Sequence, residues 1–156
     1  MLWPIVVNLI ICFVIAFLSG WVTRKSVKTW YRSLKKPSFN PPAWVFSPVW
    51  TVLYGMIGVI GGLLWMEKAH HPIAFAFYVL QLALNFSWSF VFFWARRLGA
   101  SVVNLLLLWL SVFLMMVLAF PINPLIGYLT LPYLLWLTFA ATINLSIWSL
   151  NSREAG

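Results

Sequence analysis

The sequence predicts an all-α membrane protein: a bundle of five transmembrane helices, with the N-terminus outside and the C-terminus in the cytoplasm. Three observations lead there. Hydrophobic residues make up 63% of the 156 residues and charged residues 8%, against roughly 45–50% and about 25% in soluble domains. Five apolar stretches each approach or exceed the length of about 20 residues that a helix needs to cross the hydrocarbon. Every Lys and Arg except Lys68 falls on one side of that five-span arrangement, and the positive-inside rule makes that side cytoplasmic.

The spans are expected at about 5–23, 44–66, 73–94, 99–120 and 125–150, and the whole chain, 1–156, reads as one transmembrane domain. The first span is too long for a signal-peptide core and no basic segment precedes it, so it is expected to be retained. A long basic loop, 24–43, follows, with Arg24, Lys25, Lys28, Arg32, Lys35 and Lys36, then Pro37, Pro41 and Pro42. Glu67, Lys68, His70, His71 and Pro72 form a short polar turn after the second span. Arg96 and Arg97 separate the third span from the fourth. Before the fifth, Asn123 is placed to cap the helix with Pro124 at its first position, where no N–H is needed. Pro132 lies inside that helix and is expected to kink it; Pro48 marks the first turns of the second. Runs such as Leu105–Leu106–Leu107–Leu108 are apolar on every side, unlike the alternating strands of a membrane barrel. Trp3, Trp21, Trp65, Trp94, Tyr128 and Trp148 fall near span ends, as an aromatic belt would.

The same residues exclude several chemistries. No ionisable side chain lies well inside a span, which argues against an ion-driven pump, carrier or voltage sensor. The only acids are Glu67 and Glu154, so no carboxylate pair exists for acid–base work. Six of the basic residues lie within 24–36, a topology signal rather than a nucleic-acid face, and no nucleic-acid partner is expected. His70 and His71 lack further ligands at defined spacing, so no metal is expected. Cys12, the single cysteine, forms no internal disulfide and reads as a small hydrophobe, buried or facing lipid.

What remains is aromatic and amide chemistry at depth. Gln81, Asn85, Trp88 and Phe92 share one face of the third span, and Tyr133, Trp136, Ala140 and Asn144 one face of the fifth. Trp50, Thr51 and Tyr54 mark the second. An amide in hydrocarbon needs a partner, so Gln81 and Asn85 should face the bundle interior. The plainer reading of these groups is inter-helix hydrogen bonding. The functional one is a pocket for a flat, weakly polar ligand, for which tetrapyrroles and sterols qualify. Trp50 and Trp136 are expected to face one another across it. Gly58 and Gly62 form a GxxxG pair suited to close helix approach, within or between protomers.

The stretch Trp30–Tyr31, Lys36–Pro37, Asn40–Pro41–Pro42–Ala43–Trp44–Val45–Phe46 and Pro48–Val49–Trp50–Thr51–Val52–Leu53–Tyr54–Gly55 strongly resembles the translocator protein family. Its members are also called tryptophan-rich sensory proteins or peripheral-type benzodiazepine receptors. Asn85–Phe86–Ser87–Trp88 with Phe92–Phe93 resembles the family's third helix. Pro132–Tyr133–Leu134–Leu135–Trp136, then Ala140–Ala141–Thr142 and Asn144, resembles its fifth. The resemblance implies a five-helix bundle, a homodimer in the bacterial cell membrane, and a cavity closed by the loop between the first two helices. It implies porphyrins and benzodiazepine-site ligands as partners, with Tyr31, Pro42, Trp50, Asn85, Trp88, Trp136 and Ala140 at the cavity. No cofactor is implied; porphyrin is ligand or substrate.

Some bacterial relatives are reported to break down porphyrin in light through tryptophans, which would make Trp50 and Trp136 the catalytic residues here. The family's sterol motif joins a Tyr to a following Arg. In Ala140–Ala141–Thr142–Ile143–Asn144–Leu145–Ser146–Ile147–Trp148–Ser149 there is no Tyr, and Ser149 stands at the Arg position. Sterol binding at that helix is therefore not expected, although Val27, Tyr31 and Lys35 match the loose sterol pattern. Three functions stand side by side: a tetrapyrrole-binding sensor, carrier or scavenger; a light-dependent porphyrin-degrading enzyme; and a structural or regulatory membrane partner using Gly58, Gly62 and the basic loop.

Overall fold

A computed structural model describes residues 2–152. Arg153 and Glu154, used above in assigning charge, lie outside the described residues. The elements are α1 (Trp3–Lys28), α2 (Trp30–Ser33), α3 (Ala43–Glu67), α4 (Pro72–Ser89) continuing as a π-helix (Phe90–Trp94), α5 (Leu98–Ala119) and α6 (Pro124–Ser152), with no strand among the described residues. The five long helices, counting α4 with its π-helix, have the length and hydropathy of membrane spans. Large apolar side chains face outward, Phe17 at 73% and Leu135 at 64% exposure, where only hydrocarbon suits them. The protein is an integral, multi-pass membrane protein.

Helix ends follow local chemistry. Pro72 and Pro124 occupy first helical positions, and Asn123 Oδ1 accepts the Leu125 N–H at 3.0 Å, the expected cap. α6 continues through Pro132 to Ser152. α1 runs five residues past the expected 23, so Arg24, Lys25 and Lys28 belong to a helix rather than a loop. Lys and Arg are good helix formers, and cations suit a helix C-terminus. The true loop is Leu34–Pro42, after the single turn of α2. The π-helix was not expected either. Its widened turn leaves the Phe93 carbonyl to accept the Ser26 hydroxyl of α1 at 2.8 Å.

α1 lies along α3, and α5 packs against both α4 and α6. The α1–α3 seam is built on glycine. A Cβ at Gly58 would stand 2.8 Å from Leu9 Cα. One at Gly62 would strike the Ile5 backbone, and one at Gly61 the Tyr78 phenol. The GxxxG pair therefore serves contact within the protomer and is covered by α1, which removes it as a docking face for a second copy or a regulatory partner. Cys12 is buried in the same region with its Sγ 3.6 Å from Tyr78 Oη. His70 and His71 sit exposed at the turn between α3 and α4. The core between the helices is filled by Ile57, Ile60, Leu64, Leu108, Met115, Ile126 and Leu137.

Candidate functional site

On the loop side of that core the bundle opens into a cavity of about 380 Å³. α1, α2, α3, α4 with its π-helix, and α6 line it; α5 stands behind and contributes nothing. Two aromatic walls define it. On one, Trp88 stacks on Phe92 at 5.3 Å between ring centres, and Tyr31 leans on Phe92 and Phe93 at 6.1 and 5.8 Å. On the other, Trp50 lies beside Tyr54 at 5.6 Å and Phe46 meets Trp136 at 5.9 Å.

The expected opposition of Trp50 and Trp136 is not what the structure has. Their rings touch edge to face, 6.5 Å apart and at 89°. No flat molecule fits between them, because helices α3 and α6 approach each other there through these two side chains. They form one aromatic group in the lining, and Trp88 with Phe92 forms another. Tyr31, Trp50, Tyr54, Asn85, Trp88, Trp136 and Ala140 all line the cavity. Pro42 does not; it is exposed at the N-cap of α3, and Ala43 beside it takes the lining position.

Beneath the cavity the amides found in the sequence are joined to phenols. Tyr54 Oη donates to Asn85 Oδ1 at 2.7 Å, Asn85 Nδ2 donates to Tyr133 Oη at 2.8 Å, and Tyr133 Oη donates to Gln81 Oε1 at 2.9 Å. This chain links α3, α4 and α6 and forms a polar floor. A second link fixes the Trp88 wall: its indole N–H donates to Asn144 Oδ1 at 2.9 Å, and Asn144 Nδ2 donates to Ser101 Oγ at 3.0 Å. Most of the polar groups are thus committed to holding helices together, as the plainer reading supposed. The Trp136 indole N–H is different. It is buried without a hydrogen-bond partner, as is Gln81 Nε2.

The loop runs beside the cavity and is joined to its lining through Tyr31. Tyr31 Oη donates to Asn40 Oδ1 at 3.3 Å, and the Lys36 ammonium lies 4.6 Å from the Tyr31 ring centre. Burial pushes the Tyr31 phenol above its ordinary value, with the Asn40 bond opposing, so the ring stays a neutral donor. Desolvation holds the Lys36 ammonium below its ordinary value. The strap is tied to α6 by a reciprocal pair: the Lys35 N–H donates to Asn151 Oδ1 at 3.1 Å, and Asn151 Nδ2 donates to the Lys35 carbonyl at 2.9 Å. Phe39 adds a ring contact to Phe139 at 6.4 Å. Replacing Asn151 with Ala removes both bonds, each worth about 0.5–1.5 kcal/mol. Amide exchange over Lys35–Asn40 should rise several-fold in that variant; unchanged exchange would show that the strap is held by something else.

Residues 8–149 match the sequence model of the TspO/MBR family. The chain belongs to the TspO/MBR family. It is 41% identical over 133 residues to the translocator protein of Homo sapiens, covering 81% of this chain and 78% of that one. It is 35% identical over 149 residues to the tryptophan-rich protein TspO of Archaeoglobus fulgidus, covering 95% and 97%. To protein CrtK of Rhodobacter capsulatus it is 40% identical over 129 residues, covering 80% of each. Within this TspO/MBR chain the sequence reading missed the α1 contribution to the cavity, from Ala16, Ser19, Gly20, Thr23 and Val27. The available signal was small and hydroxylic residues in an otherwise apolar helix. Asn151 carried none, since a polar residue at a helix end is ordinary.

Proposed function

We propose that this TspO/MBR membrane protein binds porphyrin, or a similarly flat and mostly apolar molecule, between its two aromatic walls, as sensor, carrier or scavenger. The observation that carries this reading is the cavity itself. It is enclosed by Trp50, Trp88, Trp136, Tyr31 and Tyr54, has a polar floor, and at about 380 Å³ lies within the range of roughly 300–1,000 Å³ typical of ligand sites. Flat rings stack on such walls. We further propose that the N-terminus lies outside and the C-terminus in the cytoplasm of the bacterial cell membrane. An accessibility label at position 2 should be reached from outside and one at position 155 from within; the same side for both would break the topology.

One observation favours a second, enzymatic reading. Trp50 contacts both Trp136 and Tyr133, at 6.5 and 6.4 Å, so oxidisable rings run from the cavity wall into the core. In that reading a photoexcited porphyrin takes an electron from an indole and passes it to dioxygen; the superoxide adds to the macrocycle, the adduct returns one electron to the indole radical, and the net change is addition of dioxygen to the porphyrin. The test is a protoporphyrin titration in the dark, then illumination with product mass followed. Replacing Trp50 and Trp136 together by Phe should weaken binding only modestly, by less than the roughly 1 kcal/mol that a lost aromatic stack costs, because phenylalanine keeps a stacking face. If the protein is an enzyme, the same change abolishes light-driven turnover, because phenylalanine is far harder to oxidise than indole. Turnover unchanged in the double variant leaves a binding protein only. Absence of saturable binding by the wild type overturns the proposal.

A further inference from the structure

No residue of the Leu34–Pro42 strap lines the cavity, and part of the cavity's lining is on the outer surface. Gly20 of α1 and Ala43, Ser47 and Thr51 of α3 line the cavity and are also exposed. A Cβ built at Gly20 would meet nothing within 4 Å. The two helices are tight where Gly58 and Gly62 receive Leu9 and Ile5, and they part towards the loop side, leaving an opening between Gly20 and Ser47–Thr51.

The depth of the opening matches on both helices. Gly20 lies roughly 12 Å below the Lys28 end of α1, and Thr51 roughly 12 Å below the Ala43 end of α3. That is the outer hydrocarbon of the loop-side leaflet, beneath the head groups. The rim is hydroxylic at little cost, since Thr51 Oγ1 donates to the Ser47 carbonyl at 2.9 Å and Thr23 Oγ1 to the Gly20 carbonyl at 3.2 Å. Directly above, Arg24 and Lys28 follow Gly20 at one-turn intervals and are exposed. A side opening at acyl-chain depth with cations over it suits a molecule with a flat apolar body and an anionic group.

We propose that ligand enters sideways from the loop-side leaflet, between α1 and α3, and that Arg24 and Lys28 select amphiphiles carrying a carboxylate. This rests on the proposed function in taking the ligand to be membrane-dissolved. The first arm of the test uses no porphyrin. Ala140→Cys in a Cys12→Ala background places the only thiol in the cavity, and pyrene maleimide dissolved in the vesicle bilayer labels it. Gly20→Phe, or Thr51→Phe as a second blocking variant, should slow labelling several-fold, while Asn151→Ala should leave it unchanged. Labelling insensitive to both blocking variants and quickened by Asn151→Ala would place entry at the strap and overturn the proposal.

The second arm compares protoporphyrin with its dimethyl ester in Arg24→Gln/Lys28→Gln. Association of the acid should fall by about tenfold, the lower end of electrostatic steering, while that of the neutral ester should not change. Equal effects on both, or on neither, would overturn the selection by charge. Failure of the wild type to bind either compound strikes the proposed function instead, and the thiol arm still decides the route.

Discussion

Gly62→Val should leave little folded protein. Its Cβ would fall on the Ile5 backbone, and a backbone cannot swing aside as a flexible side chain can. α1 would have to lift from α3, with loss of the contacts along Leu9 and Gly58. Overpacking in a well-filled interior costs about 1–3 kcal/mol and more when backbone is the obstacle. Gly55 makes the control, since a Cβ there would meet nothing within 4 Å, and Gly55→Ala should be neutral or slightly stabilising through its helix propensity. Thermal unfolding in detergent measures both. Equal transitions for wild type and Gly62→Val would mean that the two helices are not packed as described.

Ala140→Leu should weaken porphyrin binding by tenfold or more while leaving the fold intact. Ala140 is half-buried on the cavity side of α6, one turn beyond Trp136. A larger side chain there projects into the space between the two walls, and lost cavity cannot be recovered by shifting Trp136, which is held against Trp50 and Phe46. Overlap of a single side chain with a rigid flat ligand removes about 1.4 kcal/mol or more, which is the tenfold. Isothermal or fluorescence titration checks it, and wild-type affinity in a folded Ala140→Leu protein would move the site elsewhere.

The fold was legible because the bilayer imposes length and composition on each span. The faces were legible where polar residues repeat at helical spacing: Gln81 with Asn85, and Tyr133 with Asn144. Their partners were not. Spacing put Tyr54 and Tyr133 on interior faces, but only packing brings their hydroxyls to Asn85. Glycine spacing announced a close approach at Gly58 and Gly62 but could not say to which helix. The basic run 24–36 suggested a loop, because charge marks where the membrane ends, not where the helix does. The edge-to-face contact of Trp50 with Trp136 depends on the angle between two helices distant in sequence, which no single-helix pattern contains. The π-helix and the Asn151 tie likewise arise from tertiary contact.

The central claim is that a flat apolar ligand lies between the Trp88–Phe92 wall and the Trp50–Trp136 wall. The most direct test is an experimental structure of the protein in lipid with protoporphyrin bound. The account predicts the macrocycle between those walls, with the Leu34–Pro42 strap still tied to Asn151. A macrocycle lying on the lipid-facing surface, with the cavity side chains as they are here, would contradict it.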